Sequence, residues 1–414
     1  MKKIFLIITI VLTIYSCNND VDIVHPVIDD ENILTETTPL SNDSKLIMEG
    51  IYSVVQGSEL LGDQVVVKWT RDRLSIFSGK NGGFINLQGG SLDSVIFFQG
   101  FWRYILNTET GIVNFYIPSK EGGKNIIAGD TSTKAIKFIG AYGKGNELAG
   151  KRIVLDFKRP FSQFVTDNNF QILAHRGGGR NSDYLGVSEN SIEMVNICER
   201  LGATGIEIDL RLSKDGVPFI YHDNDINLRL VQKSLIWGKI ENFTWPQIRT
   251  LITLRNGEKI PSLREVLEFI LEHTTLKVVW FDIKDTKVLS KAIEIQREML
   301  TRAVAAGRDL HIYIGIPAED ILEAFLKYPG YKDVPSLCEL SIDDVRRVNA
   351  QVWAPRWTQG IQAAEVTQMH AEGRKAYVWT LDEPNYIEKF VNEGQFDAIL
   401  TNYSEILAYN FYIR

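Results

Sequence analysis

Four short stretches of the sequence carry side chains that could move protons or hold a cation. They are His175-Arg176-Gly177, Glu207-Ile208-Asp209, His222-Asp223 and Asp282-Ile283-Lys284. Along an extended strand, side chains alternate between faces. Glu207 and Asp209 therefore point the same way, and so do Asp282 and Lys284. Carboxylates gathered at one mouth repel one another and lose hydration unless positive charge sits between them. Three such ligands without a cysteine favour a hard divalent cation, Mg²⁺ or Ca²⁺, over a structural zinc. Histidines beside that cation, with Arg176 and Lys284, suit a phosphate ester. The cation and arginine would offset the extra charge of a pentavalent transition state, and the histidines would move protons. Taken singly, a strand-end histidine is more often structural, and Glu-x-Asp is usually a solvated strand face.

The elements that must position these groups read as alternating strands and helices after Pro160. Candidate strands are 170–175, 205–211, 217–222, 277–283, 311–316, 336–340, 351–355, 375–380 and 396–401, with amphipathic helical patterns such as 189–201, 287–306, 318–327 and 385–393 between most of them. Repeated β-α units over about 250 residues predict a (β/α)8 TIM barrel for residues 165–414. In that fold the active site gathers at the carboxyl ends of the strands. Each of the four stretches ends or lies in a candidate strand. Nine candidates are one too many for the barrel, so either 205–222 contains a hairpin-like excursion or one segment is not a strand.

Residues 48–158 have a different texture. Short β-branched and aromatic runs, such as Gln64–Trp69 and Ile112–Ile117, are separated by glycine-containing turns, which predicts an all-β barrel or sandwich. This stretch contains no histidine. It is expected to fold independently of catalysis, so that a chain beginning near Ser162 keeps activity.

Composition bounds the rest. Hydrophobic residues make up 44% and charged residues 23% of 414, which excludes wholesale disorder. A net charge of −7 gives no basic excess for a nucleic-acid partner. No apolar run reaches the length of a transmembrane helix. Lys2-Lys3, the apolar stretch Ile4–Tyr15 and Ser16-Cys17 describe a signal peptide over residues 1–16, and Ile14-Tyr15-Ser16-Cys17 resembles a lipobox with Cys17 as the acylated N-terminus. Residues 18–45 hold seven acidic residues and one lysine. Residues 17–47 thus read as an acidic, solvated tether, and the protein as an exported lipoprotein of the cell envelope. Cys198 and Cys338 read as buried free thiols.

The set Ala174-His-Arg-Gly177, Glu189-Asn190, Ile206-Glu-Ile-Asp209, Lys214-Asp-Gly216 and His222-Asp223, continued by Ile260-Pro-Ser-Leu263, Asp282-Ile-Lys284, Val378-Trp-Thr380 and Ala398-Ile-Leu-Thr401, resembles the glycerophosphodiester phosphodiesterase family over about 170–410. The resemblance implies that His175 and His222 form the acid and base pair. It implies that Glu207, Asp209 and Asp282 hold the cation, that Arg176 and Lys284 contact phosphate, that Glu189 supports the metal site, and that Trp379 lines a glycerol pocket. The implied reaction splits a glycerophosphodiester to glycerol 3-phosphate and an alcohol, through attack by the neighbouring glycerol hydroxyl. Several positions depart from the family pattern. Asp282 stands where a glutamate is usual, Ser188 replaces a proline, Asp382 and Asn402 are uncommon choices, and an insert within 178–187 would overhang the site.

Two other functions compete. One is a related phospholipase D-like barrel acting on intact lipids, which would need an apolar rim. The other is a non-enzymatic lipoprotein whose β domain captures a glycan or lipid. On localisation the expectation is direct: Cys17→Ser should move the protein from the membrane to the soluble fraction, and a wild type already soluble without detergent would refute lipidation.

Overall fold

A computed structural model describes residues 33–179 and 185–414. The signal peptide, Cys17, the first part of the tether and residues 180–184 of the insert lie outside the described residues. No helix among those described is long and apolar enough to cross a membrane.

The chain builds two barrels. The first comprises strands β1 (Gly50–Gln56), β2 (Gln64–Thr70), β3 (Arg73–Ser78), β4 (Gly83–Leu92), β5 (Val95–Tyr104), β6 (Thr110–Ile117), β7 (Lys137–Tyr142) and β8 (Lys151–Arg159). They follow one another antiparallel, and β8 pairs back to β1, so the sheet closes without an edge. Of the two sequence expectations, barrel or sandwich, the barrel is realised. Its lumen is filled: Tyr52, Trp69, Phe98, Trp102, Phe115 and Phe138 pack inside with aliphatic neighbours. A packed lumen of this kind is a core rather than a binding cavity.

The tether reading fails for its last ten residues. Asn42–Ile47 is a helix capped by Ser41, whose side chain accepts from the Ser44 N–H. Ser44 Oγ donates to the Ile126 carbonyl, and Leu40, Ser44 and Met48 are buried. Thr38 bridges to Ser91 on β4. The apolar spacing of Leu40 and Met48 plugs this segment onto the barrel end despite its acidic composition.

The second barrel uses eight parallel strands among the described residues. They are β9 (Gln171–Ala174), β10 (Gly205–Leu212), β16 (Val278–Ile283), β17 (His311–Ile316), β18 (Ser336–Cys338), β19 (Val352–Trp353), β20 (Lys375–Val378) and β21 (Ala398–Thr401), closed by the β21–β9 and β9–β10 pairings. Leu173, Val278, Trp280, Tyr313, Leu337 and Tyr377 fill its interior. The ninth candidate is the excursion: β11 (Pro218–Ile220) runs antiparallel to β10, with Leu210 opposite Ile220. His222 therefore does not close a third barrel strand. The strand β10 overshoots the barrel and the chain folds back, so that the Tyr221 N–H donates to the Asp209 carbonyl and His222 reaches the mouth from above. Beyond it, β12 (Asp225–Ile226) pairs with β14 (Gly238–Lys239), and β13 (Val231–Ser234) with β15 (Ile252–Leu254). These cover a small core of their own that includes Phe219, Ile226, Val231 and Ile252.

The two barrels share one core. Ile51, Val66, Phe77 and Phe84 are cross-strand neighbours on β1 to β4. They form a transverse apolar row on the outside of the first barrel, continuous with the core of the second. The helix Ser404–Tyr412 lies between them and contacts β2, β3 and β4 on one side and β9 on the other. Gly202, at φ +97°, lets this helix approach: a Cβ there would lie 2.6 Å from Ala408 Cβ. Polar groups fix the seam. Arg71 Nε lies 3.2 Å from the buried Glu199, and Ser75 Oγ donates to the Arg200 carbonyl at 2.8 Å. This packing argues against a dispensable β unit, because a chain beginning at Ser162 would bare the apolar flank of the second barrel that the first one covers.

Glu405 on that helix is 2% exposed, and burial raises its carboxyl pKa to about 8. The folded state then holds a proton that the unfolded chain releases above its ordinary carboxyl range. Stability should be full at acidic pH and fall as pH rises from about 4.5 to 8. Glu405→Gln should abolish that slope and raise the melting temperature at pH 8, and a variant with an unchanged slope would refute the assignment.

Candidate active site

The site is built on neighbouring strands whose register aligns the acids. On β10, Ile206, Ile208 and Leu210 face the helices while Glu207 and Asp209 face the lumen. Asp282 on β16 sits directly opposite Asp209, and Trp280 opposite Glu207. Oxygen atoms of Glu207, Asp209 and Asp282 lie within 4.8 Å of one another. Glu207 and Asp209 are almost fully buried.

Like charge at this separation is countered by the chain's own donors. Lys284 Nζ lies 2.9 Å from Asp209 Oδ1 and 2.5 Å from Asp282 Oδ2. The contact to Asp209 is an ion pair outside hydrogen-bond geometry, which leaves that oxygen, like Glu207 Oε1, without a hydrogen bond. Asn190 Nδ2 donates to Asp209 Oδ2 at 2.7 Å, and the Arg176 N–H donates to Glu207 Oε2 at 2.8 Å. Burial pushes the Asp209 pKa up, but Lys284, His222 and Arg176 outweigh it and bring the carboxyl down to about 2. For Glu207, burial and its repulsion by Asp209 and Asp282 prevail, and the pKa rises. Asp282 is raised as well, chiefly by burial.

The two histidines are held differently. His175 Nδ1 is 2.9 Å from Asn402 Oδ1, so this nitrogen carries the proton and donates. Its Nε2 is left bare, 3.8 Å from Glu207 Oε2. Burial and the neighbouring Arg176 depress its pKa to about 3. His222 Nδ1 meets Asp223 Oδ1 at 2.6 Å. Burial lowers the His222 pKa, while Asp209 and Asp223 oppose the shift. Asp223 is itself clamped by Arg229 at 2.6 Å and by Asn227.

Both histidines, Glu207, Asp282, Arg176, Lys284 and Trp379 line one cavity of about 540 Å³. Two sequence assignments change in detail. Arg176, at a left-handed φ of +55°, turns its guanidinium to Glu189 at 2.9 Å, and its Nε lies 3.8 Å from Asp209 Oδ2. It is 6% exposed, so it braces the acids more than it offers a free fork to a ligand. Glu189 holds Arg176 and Arg229 together and does not line the cavity. The described end of the insert does not overhang the mouth. Leu185 and Val187 lean on the first barrel, while the Ser188 N–H and hydroxyl both donate to Glu258.

The sequence reading missed Arg229, Glu339 and Arg356 as members of the site, and it named Asn190, Asp382 and Asn402 without giving them a role. Asp382 accepts from the Asn402 N–H and side-chain amide, so it orients the group that orients His175. Glu339 follows β18 and Arg356 follows β19, and both line the cavity, where burial and the nearby Asp282 raise the Glu339 pKa. Arg356 stacks 4.8 Å from the Trp379 ring, whose Nε1 donates to the Ala354 carbonyl. The strand-end rule used for His175 and Asp282 would have found Glu339, Arg356 and Asn402.

The sequence model of the glycerophosphoryl diester phosphodiesterase family matches residues 175–406. The chain belongs to this family. Human glycerophosphodiester phosphodiesterase 1 is 34% identical over 120 residues, 27% of this chain and 33% of that protein. The chain thus spans about a third of the length of the first curated relatives it matches. A glycerophosphodiester phosphodiesterase of Caldanaerobacter subterraneus subsp. tengcongensis is 28% identical over 247 residues, 57% of this chain and 95% of that protein. Among solved structures, one of a glycerophosphodiester phosphodiesterase from Parabacteroides distasonis superposes at a TM-score of 0.47 and 24% identity, over 60% of this chain and 98% of that one. A phosphodiesterase from Oleispira antarctica, in complex with the product sn-glycerol-3-phosphate, does so at 0.46 and 17%, over 58% and 96%. The matched segment is the second barrel, and the first lies outside it.

The unequal support of the two rings sets a pH test. His175 stays neutral across ordinary assay conditions, and with His222 as the proton donor proposed below, the basic limb of the rate profile should belong to His222. Asp223→Asn removes a charge that raises the His222 pKa, and the limb should shift to lower pH. Asn402→Ala should lower the rate without moving the limb. A shift in the second variant and not the first would reverse the assignment.

Proposed function

We propose that the protein hydrolyses glycerophosphodiesters to glycerol 3-phosphate and an alcohol, with a divalent cation, Mg²⁺ or Ca²⁺, held by Glu207, Asp209 and Asp282. The reading rests on one juxtaposition: three carboxylates within 4.8 Å, with His175 and His222 on the walls of the same cavity. The donor set fits a hard cation, because it is all oxygen, and Glu207 Oε1 and Asp209 Oδ1 are buried without a hydrogen bond. Bound there, the cation supplies positive charge to the phosphoryl oxygens.

The chain's own residues do the rest. His175 enters neutral with Nε2 bare, in the state that accepts a proton. His222 has Asp223 at 2.6 Å, which offsets part of the burial that disfavours its charged form, and from that form it would give a proton to the leaving oxygen. Lys284 bridges Asp209 and Asp282 and lies within reach of a phosphate in the cavity. Arg176 secures Glu207 and Asp209 through its N–H and guanidinium. Trp379, Arg356 and Glu339 line the same cavity, where one arm of the diester lies. Lipidation at Cys17 would tether this activity to the cell envelope.

A second reading, hydrolysis of intact lipids, draws on Leu228, Leu235 and Trp237, which stand exposed on the excursion after His222. Rates on glycerophosphocholine and on phospholipid vesicles, each with and without chelator, separate the two.

The roles divide on one assay. Asp282→Asn keeps shape but removes a ligand charge, so cation affinity should fall and excess Mg²⁺ or Ca²⁺ should partly restore the rate. His222→Ala should lose about 10²–10⁴ in rate, beyond rescue by any cation concentration. Equal rescue of both variants, or of neither, would overturn the assignment.

A further inference from the structure

The seam between the barrels is bridged by the helix Ser404–Tyr412 but is not close-packed along its whole length. Beside the helix Ile192–Cys198 it leaves a cavity of about 330 Å³. We propose that this cavity is a binding site for an amphiphile with one anionic head group and a hydrocarbon chain.

The walls come from three elements. Phe84 and Arg103 are cross-strand partners on β4 and β5, as are Asn86 and Phe101. All four side chains point out of the first barrel toward the second. Ile197 and Leu201 close the cavity from the helical side, and Leu185 and Val187 from the segment leading into the catalytic cavity. The surface is therefore mainly hydrocarbon, the environment that a chain of methylenes fills.

The polar residues of the lining are few, and Asn86 and Arg200 among them carry unspent groups. Asn86 is 7% exposed, and neither its amide nitrogen nor its amide oxygen has a partner. Arg200 Nε is likewise cut off from solvent without a hydrogen bond. Among the described residues no carboxylate lies within ion-pair distance of Arg200. Buried amides and guanidiniums normally find partners, because an unmet one forfeits the hydration it gave up. An amide donor and a guanidinium in the wall of an apolar cavity call for an acceptor with negative charge and a chain behind it. A neutral alcohol would leave the guanidinium uncompensated, and a short acid would leave the aromatic walls bare.

The site is separate from the phosphodiesterase cavity but adjoins its support. Val187 lies two residues before Glu189, which holds Arg176, and three before Asn190, which holds Asp209. An occupant packed on Leu185 and Val187 braces the segment that carries both.

Isothermal titration of the full chain with decanoate, decanol and acetate tests the proposal. Decanoate should bind at one site per chain, with decanol and acetate each at least about tenfold weaker. Arg200→Gln should weaken decanoate by a similar factor. Asn86→Asp, which sets a carboxylate against the head group at nearly constant shape, should abolish binding while leaving hydrolysis of soluble diesters intact. No one-to-one decanoate binding would mean that water fills the cavity and would overturn the proposal. So would equal binding of decanoate and decanol by the wild type, a comparison that stands even if a variant fails to fold.

Discussion

Three carboxylates at one level of a barrel, with oxygens within 4.8 Å of one another, are the condition to which the rest of the site responds. Buried acids at that distance cannot all stay ionised on their own. Lys284, projecting from the same strand face as Asp282, brings the first counter-charge. The Arg176 N–H and the Asn190 amide bring the next, and each needs its own support. Glu189 fixes Arg176, Arg229 fixes Glu189 and Asp223, and Asp223 orients His222. One chain of contacts thus runs from the acids to the His222 ring by way of an ion-pair network. On the other side, Asp382 fixes Asn402, which fixes His175. The site is a charge-balance problem solved outward, shell by shell.

How much of this was legible in the sequence follows from what is local. The period of two in Glu207-x-Asp209 and Asp282-x-Lys284 placed the acids and lysine on one face, and the apolar runs before His175 and Asp282 marked strand ends. The excess ninth strand signalled an excursion, but an isolated apolar run such as Val217–Tyr221 does not state which way it will run. That direction was decided by the Ser213–Val217 turn and by pairing with β10. Glu339 lies in the candidate strand 336–340 and Arg356 just after 351–355, but each is a lone charged residue with no second one at a spacing of two to mark it. The last part of the acidic segment also misled, since composition outweighed the two apolar positions that dock it.

The first barrel illustrates a further limit. Its inward residues make a closed core of their own, and the short β-branched and aromatic runs between glycine-containing turns were easy to read as strands. The same strands carry a second apolar set outward: Ile51, Val66, Phe77 and Phe84. A strand buried on both faces loses the alternating pattern, and only the partner surface explains why. With its lumen packed, this domain acts as a flank of the catalytic barrel rather than as a container.

That flank has a consequence for the order of folding. The strand that closes the catalytic barrel, β21, pairs with β9 from the opposite end of the domain, and the helix that follows it is the wedge between the barrels. The first barrel can pair all its strands before the second is complete, since even the β1–β8 closure lies within residues 50–159, yet its outer row of Ile51, Val66, Phe77 and Phe84 remains without cover until that late helix arrives. During synthesis the chain therefore passes through a stage with one finished barrel and a bare apolar stripe. In that interval the molecule depends on holding factors or on speed, because a second chain in the same state offers the same stripe.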